Sequence, residues 1–145
     1  MYKHILIATD GSDLASKAVT TGLALAKTLG ARVTALTATD PWTAFPVAEA
    51  PALQFPVEEY QQWAEQNAQR ILSAVRQKAE TFGVACATVH ATTYPADAII
   101  EIAKSSGCDL IVMASHGRRG MARALLGSQA ARVVSLSSIP VLICR

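Results

Sequence analysis

Short apolar runs alternate with stretches of helical spacing along the chain. His4-Ile-Leu-Ile-Ala-Thr9 reads as a buried strand, because an unbroken apolar run of this length bounded by turn residues suits a strand covered on both faces. After Asp10-Gly11-Ser12, the residues Ala15, Ala18, Gly22, Leu25 and Leu29 share one face of a helix, with Ser12 placed as its N-cap and Gly30 as its stop. A second strand spans Arg32 to Thr39. The stretch from Asp40 to Pro56 carries Pro41, Pro46, Pro51 and Pro56, too many for a helix or a central strand, and reads as a loop. Val57, Tyr60, Ala64, Ile71, Leu72, Val75, Ala79 and Phe82 then keep the 3.6 period of a long helix that Gly83 closes. Val84 to Ala91 alternates as a third strand. Pro95 opens a further helix through Ile99, Ile102 and Ala103, a position where its missing N–H costs nothing. The Leu110 strand, a glycine-rich stretch, a helix from Ser128 and a last strand, Pro140 to Cys144, complete the chain.

Five strands alternating with four helices predict an α/β fold, a parallel sheet with helices on both faces. The 145 residues read as one domain, 1–145, enough to bury roughly 70% of the unfolded surface. Ligands of such sheets sit beyond the carboxyl ends of the strands where the strand order reverses. The first and fourth strands end at Asp10 and Ala114; as neighbours, they bring Asp10 and the glycine-rich stretch to one crevice.

Charge sharpens the picture. The net charge is only +2, too small to argue for nucleic acid. From Leu110 to Arg145, however, there are five arginines and no acidic residue, so this segment carries +5 against −3 elsewhere. A small anion is the expected partner. Within this segment, Ser115-His-Gly-Arg-Arg-Gly120 and Gly127-Ser-Gln129 lie between a strand and a helix start, a layout whose backbone N–H groups and helix N-terminus can hold phosphate oxygens.

Other signatures fail. There is no G-x-x-x-x-G-K-[ST] and no G-x-G-x-x-G. No Ser/His/Asp or Cys/His arrangement stands out, and no lysine follows the glycine loop to serve phosphoryl transfer. An efficient enzyme is not expected; at most, ATP hydrolysis is slow. Cys86, Cys108 and Cys144 have no C-x-x-C or zinc spacing and read as buried reduced thiols. Met1-Tyr-Lys-His enters a strand without the regions of a signal peptide, and no apolar run approaches the roughly 20 residues of a bilayer span. The expected location is the cytoplasm, with no membrane partner. His4 and His90 lie in strand-like segments and have no visible ligand partners. Trp42 reads as a loop anchor and Trp63 as a helix packing residue.

The chain resembles a single-domain universal stress protein. The likeness rests on Ile5-Leu-Ile-Ala-Thr-Asp-Gly-Ser12, Pro95-Ala-Asp-Ala-Ile-Ile-Glu-Ile-Ala103, Asp109-Leu-Ile-Val-Met-Ala-Ser-His-Gly-Arg118, Leu125-Leu-Gly-Ser128 and Ile139-Pro-Val-Leu-Ile143. It implies a Rossmann-like sheet of the adenine nucleotide alpha hydrolase type, with strand order 3-2-1-4-5. It also implies a stress-response regulator or sensor that binds ATP or another adenine nucleotide, with Mg2+ accompanying the phosphates. The alternatives are a dimeric interaction protein that binds no nucleotide and, less favoured, a slow ATPase or phosphotransfer enzyme.

The nucleotide-binding branch of that family carries Gly-x-x-Gly, nine residues, then Gly-Ser or Gly-Thr. Here Gly117 is the second glycine, Arg118 to Leu126 the nine residues and Gly127-Ser128 the closing pair, while Ala114 takes the place of the first glycine. Ala131 stands where the family often has glutamate, and Tyr94 where it often has glycine. The resemblance places Thr9 and Asp10 near ribose and adenine, and Ala38 beside the base. Met113 and Ala114 approach the nucleotide through their backbone. Gly117, Gly127 and Ser128 sit at the phosphates, with Gln129 beside them. Ser128 caps the last helix or turns its hydroxyl to a phosphate. His116 reads as a loop-packing or backbone-binding residue, not a general base. Arg118 and Arg119 reach phosphates or solvent, and Arg123 reads as solvated. If the backbone at 114 is left-handed, alanine costs roughly 1–2 kcal/mol. Charge-assisted bonds to phosphates contribute about 1.5–3 kcal/mol each, so binding weakens about tenfold without being abolished. If the glycine instead serves close approach, the methyl clashes. The last strand lies at the sheet edge, and an apolar edge tends to pair, which predicts a homodimer.

Overall fold

The computed structural model describes residues 1–42, 57–117 and 126–145. These residues form β1 (His4–Ala8), α1 (Asp13–Leu29), β2 (Arg32–Ala38), α2 (Val57–Phe82), β3 (Cys86–Ala91), α3 (Pro95–Ser105), β4 (Leu110–Ala114), α4 (Ser128–Leu136) and β5 (Val141–Cys144). The sheet is parallel with order β3-β2-β1-β4-β5, as the resemblance implied. Pro46, Pro51 and Pro56 of the expected loop, together with Arg118, Arg119 and Arg123, lie outside the described residues.

Alternation along the strands divides the core. Ile5, Ile7, Leu110 and Val112 point to α1 and α2, where they pack with Val19, Leu23, Leu72 and Val75. Leu6, Ile111 and Met113 point the other way, into a second core with Ile99, Ala103, Ala130 and Val133 from α3 and α4. Gly22 brings α1 close to β1, since a Cβ there would stand 2.6 Å from Ile7 Cδ1. The expected stops hold: Gly30 ends α1 with φ 65° and accepts the left-handed turn that other residues resist. Ser12 caps α1 by accepting the Ala15 N–H at 3.2 Å.

Two expectations need adjustment, and two histidines find hydrogen-bond partners that the sequence did not show. β3 begins at Cys86, not Val84, because the Val84 N–H closes the end of α2 on the Ala79 carbonyl at 2.9 Å. Trp63 is exposed instead of packed, its ring 5.9 Å from that of Tyr60. The two histidines have partners from distant segments. Buried His4 Nε2 lies 2.8 Å from Thr34 Oγ1, and His90 joins Glu65 and Thr39.

At the amino end of the sheet, Asp109 accepts the N–H groups of Lys3 at 2.9 Å and His4 at 3.1 Å, tying β4 to β1. Desolvation pushes its carboxyl up, but the amides of Lys3, His4 and Asp109 itself outweigh this and hold it below the usual carboxylate range. The three thiols are free; Cys108 is buried as expected, whereas Cys86 and Cys144 are only half-buried, and desolvation raises each above the ordinary thiol range, which makes them poor nucleophiles. Among the described residues, no helix is long and apolar enough to cross a membrane.

Candidate functional site

The chain reverses sides between β1 and β4. From β1 it winds outward through β2 and β3, then returns to add β4 and β5 on the other side. The carboxyl ends of β1 and β4 therefore flank the crevice that this class of sheet offers to ligands.

On the β1 side, Thr9 extends the ladder by donating its N–H to the Leu36 carbonyl at 2.9 Å. The next residues form a tight turn. Gly11 adopts φ 79°, a conformation that suits glycine. Asp10 Oδ1 accepts the Ser12 N–H at 2.9 Å, and Thr9 Oγ1 accepts that of Gly11 at 3.2 Å. The Asp10 carboxylate is thus held at the strand end by the backbone that follows it. Gly117 comes so close that a Cβ there would stand 2.8 Å from Asp10 Oδ2.

On the β4 side, the Ser115 N–H donates to the Cys144 carbonyl of β5 at 2.8 Å. The Ser115 carbonyl then accepts the Gly127 N–H, also at 2.8 Å. This bond pins the start of α4 to the end of β4. It also explains glycine at 127, where a Cβ would meet that carbonyl oxygen at 2.8 Å and His116 Cα at 3.3 Å. His116 Nδ1 lies 3.0 Å from Ser115 Oγ, which orients the ring within the loop.

Gly127, not Ser128, is the N-cap of α4, with extended φ −64° and ψ 156°. Ser128 is the first helical residue, so its expected capping role moves one position back. A glycine cap supplies no side-chain acceptor, and the first turn carries no acidic residue. Among the described residues, neither a side-chain cap nor a first-turn carboxylate offsets the positive end of the helix dipole there.

Ala114 departs from the anticipated strain. Among the described residues, none other than glycine has a positive φ, and Ala114 is the last residue of a regular strand. Its backbone does not call for glycine. Its methyl lies on the α1 side and clusters with buried Ala15 and Ala18.

Gln129 has a role that sequence did not suggest. Its Oε1 accepts the Ala96 N–H at 3.1 Å. The cap position of α3 is Tyr94, which makes no side-chain capping bond, so Gln129 supplies the acceptor from α4. An exposed Arg132–Asp97 pair at 3.2 Å joins the same two helices; such pairs contribute about 0–1 kcal/mol.

These elements enclose a cleft of about 500 Å³. Thr9, Asp10, Ala38, Met113, Ala114, His116, Gly117, Gly127, Ser128 and Gln129 all line it. Arg118 lies outside the described residues. Leu36, Ile99, Pro95 and Leu126 also line the cleft and were not anticipated. Their available signal was position, at a strand end, a helix start or the edge of the glycine loop, and not residue type. Apolar Leu36 and Ala38 stand on the β2 side, while the glycines and the α4 N-terminus stand on the β4 side. The cleft thus offers an apolar slot leading to an anion-favouring end.

Comparison with known proteins agrees with this architecture. A model of the universal stress protein family matches residues 1–145. Universal stress protein MJ0531 of Methanocaldococcus jannaschii is 35% identical, over all of this chain and 83% of its own. The solved structure of MJ0577, a protein named as a universal stress protein of the same organism, superimposes with a TM-score of 0.84 at 27% identity, covering 99% of this chain and 96% of that one. A universal stress protein solved in complex with cAMP gives a TM-score of 0.71 at 27% identity, covering 99% and 97%. This chain belongs to the universal stress protein family.

Proposed function

We propose that the cleft binds an adenine nucleotide, ATP first, and that the chain acts as a stress-response regulator or sensor through its occupancy. The observation that carries this reading is the convergence of an apolar slot and a glycine-capped helix N-terminus in one cleft of about 500 Å³, within the range of small-molecule sites. In the proposed pose the base lies against Leu36, Ala38 and Met113. The ribose meets Asp10, whose carboxylate can accept from its hydroxyls, and the phosphates meet the backbone of Gly117, Gly127 and Ser128. The relative solved with cAMP supports an adenine nucleotide as the ligand class. The regular strand at Ala114 removes the strain argument against occupancy.

Among the described residues, no cluster of histidine, cysteine or carboxylates could hold a metal ion. In this reading Mg2+ arrives with the phosphates and is not held by a protein cage. The proposed location is the cytoplasm, where three free thiols are at home. The proposed assembly is a homodimer through β5. This edge strand exposes Leu142 on the α1 face of the sheet, and α4 on the other face exposes Val134 and Leu136, apolar residues flanking an edge suited to a two-fold interface. Light scattering should return the dimer mass at micromolar concentration, and a monomer would overturn that part.

The nucleotide reading is tested by denaturing freshly purified protein and chromatographing the supernatant. An adenine nucleotide near one equivalent per chain is expected. A supernatant without nucleotide, from protein that also fails to take up added ATP, would overturn the reading.

A further inference from the structure

A second constellation lies at the carboxyl ends of β2 and β3. Thr39 directly follows β2, His90 lies in β3 and Glu65 lies on α2. His90 Nε2 is 2.9 Å from Thr39 Oγ1, and His90 Nδ1 is 2.9 Å from Glu65 Oε2. Glu65 Oε1 is engaged in turn by Gln69 Nε2 at 2.9 Å. An ionised carboxylate only accepts hydrogen bonds, so Nδ1 carries the ring proton facing Glu65. In the neutral ring Nε2 is then the acceptor, and the Thr39 hydroxyl must donate to it. The order hydroxyl, Nε2, Nδ1, carboxylate is that of an activated nucleophile with its base held in the working tautomer. The imidazole is largely shielded while Glu65 faces solvent, and Thr39 is half-buried. Tyr60 O–H donates to the carbonyl of Asp40, the residue after Thr39, at 2.6 Å. The Tyr60 ring lies between those of Trp42, at 5.3 Å, and Trp63, at 5.9 Å. An aromatic cluster is thus tied to the residue that follows Thr39.

We propose that Thr39, His90 and Glu65 form a second reactive centre, independent of the nucleotide cleft, in which Thr39 Oγ1 accepts acyl groups from activated carboxylic esters bearing an aryl or similarly apolar group. Thr39 Oγ1 attacks the ester carbonyl as its proton passes to His90 Nε2. A bond forms between Oγ1 and the acyl carbon, the bond from that carbon to the leaving oxygen breaks, and the leaving group departs with the electron pair. The proton on His90 returns to the leaving oxygen or to water. Glu65 acts as a positioning residue, holding the ring with Nε2 turned to Thr39 Oγ1. The Thr39 N–H is committed to the Ala91 carbonyl at 2.9 Å, so it cannot stabilise the developing oxyanion. The absence of that contribution slows both acylation and hydrolysis of acyl-Thr39, and acyl-Thr39 collects because an activated leaving group departs far more readily than the threonine alkoxide.

The test is incubation of the full chain with p-nitrophenyl acetate, followed by intact mass measurement and peptide mapping. One acetyl group should collect on Thr39. Thr39→Val, nearly isosteric, should abolish that label, and Thr39→Ser should keep it and acquire it faster. His90→Asn should slow acylation about 100-fold, the lower range of general-base effects. Glu65→Gln should slow it about tenfold while Tm stays at the wild-type value, a split that a merely structural Glu65 would not produce. Labelling confined to lysines, cysteines or the N-terminus overturns the proposal, as does equal labelling in Thr39→Val. Nucleotide content, measured on the same samples, reports separately on the cleft.

Discussion

Gly127→Ala concentrates the account of the cleft into one methyl group. The added Cβ would stand 2.8 Å from the Ser115 carbonyl oxygen and 3.3 Å from His116 Cα. Both are backbone atoms with no rotamer to yield, so residue 127 and the 115–116 turn must separate. The same carbonyl accepts the Gly127 N–H at 2.8 Å, and separation stretches that bond. Overpacking of this kind costs about 1–3 kcal/mol, and the weakened hydrogen bond adds about 1 kcal/mol. Alanine is also a poorer N-cap than glycine, which adds roughly half a kcal/mol. The sum is about 2.5–4.5 kcal/mol, which for a chain of this size lowers Tm by roughly 8–14 °C. Scanning calorimetry reads the loss directly, and a nucleotide titration well below the new Tm should show affinity down at least about tenfold. A variant melting within a degree of wild type with unchanged affinity would refute the reasoning, because the close approach at 127 would then not exist.

Further substitutions separate structural from ligand roles. Gln129→Glu keeps an acceptor for the Ala96 N–H and places a negative charge at two helix N-termini. Tm should hold or rise, by about 0.3–1 kcal/mol of stability, while ATP affinity falls about tenfold through repulsion of the phosphates; parallel losses in both would show that Gln129 has no separate capping role. Ala114→Gly should change ATP affinity by less than about threefold, since no left-handed backbone is relieved, and a rise from undetectable binding would mean that the methyl blocks the cleft. Burial, then Arg32, hold His4 below its ordinary pKa of 6.5. The unfolded chain therefore takes up a proton first, and stability is lost as pH falls from about 6.5 through the lower folded value. His4→Gln should flatten the Tm profile across that window, and an unchanged slope would assign it to another group.

The fold was legible because its signals are local. Apolar runs, Gly30, Gly83, Ser12 and Pro95 each act within a few residues of themselves, and their alternation leaves few topologies. The polar end of the cleft was legible for the same reason, as Asp10, Gly117 and Gly127 sit at strand and helix ends. Partnerships across the sheet were not. Thr39, Glu65 and His90 come together only once β2 pairs with β3 and α2 covers them. Gln129 looked like a ligand residue by position, and only the approach of α3 to α4 gives its side chain another task. Ser128 was displaced from the cap by a single residue, since the bond from Gly127 to Ser115 sets where the helix begins.

Calorimetric titration of nucleotide-free protein with ATP and Mg2+ tests the central claim most directly. The account predicts one saturable site per chain, abolished or strongly weakened in Gly127→Ala and unaffected by Thr39→Val. No heat and no thermal stabilisation from millimolar ATP, in protein shown to be folded, would contradict it.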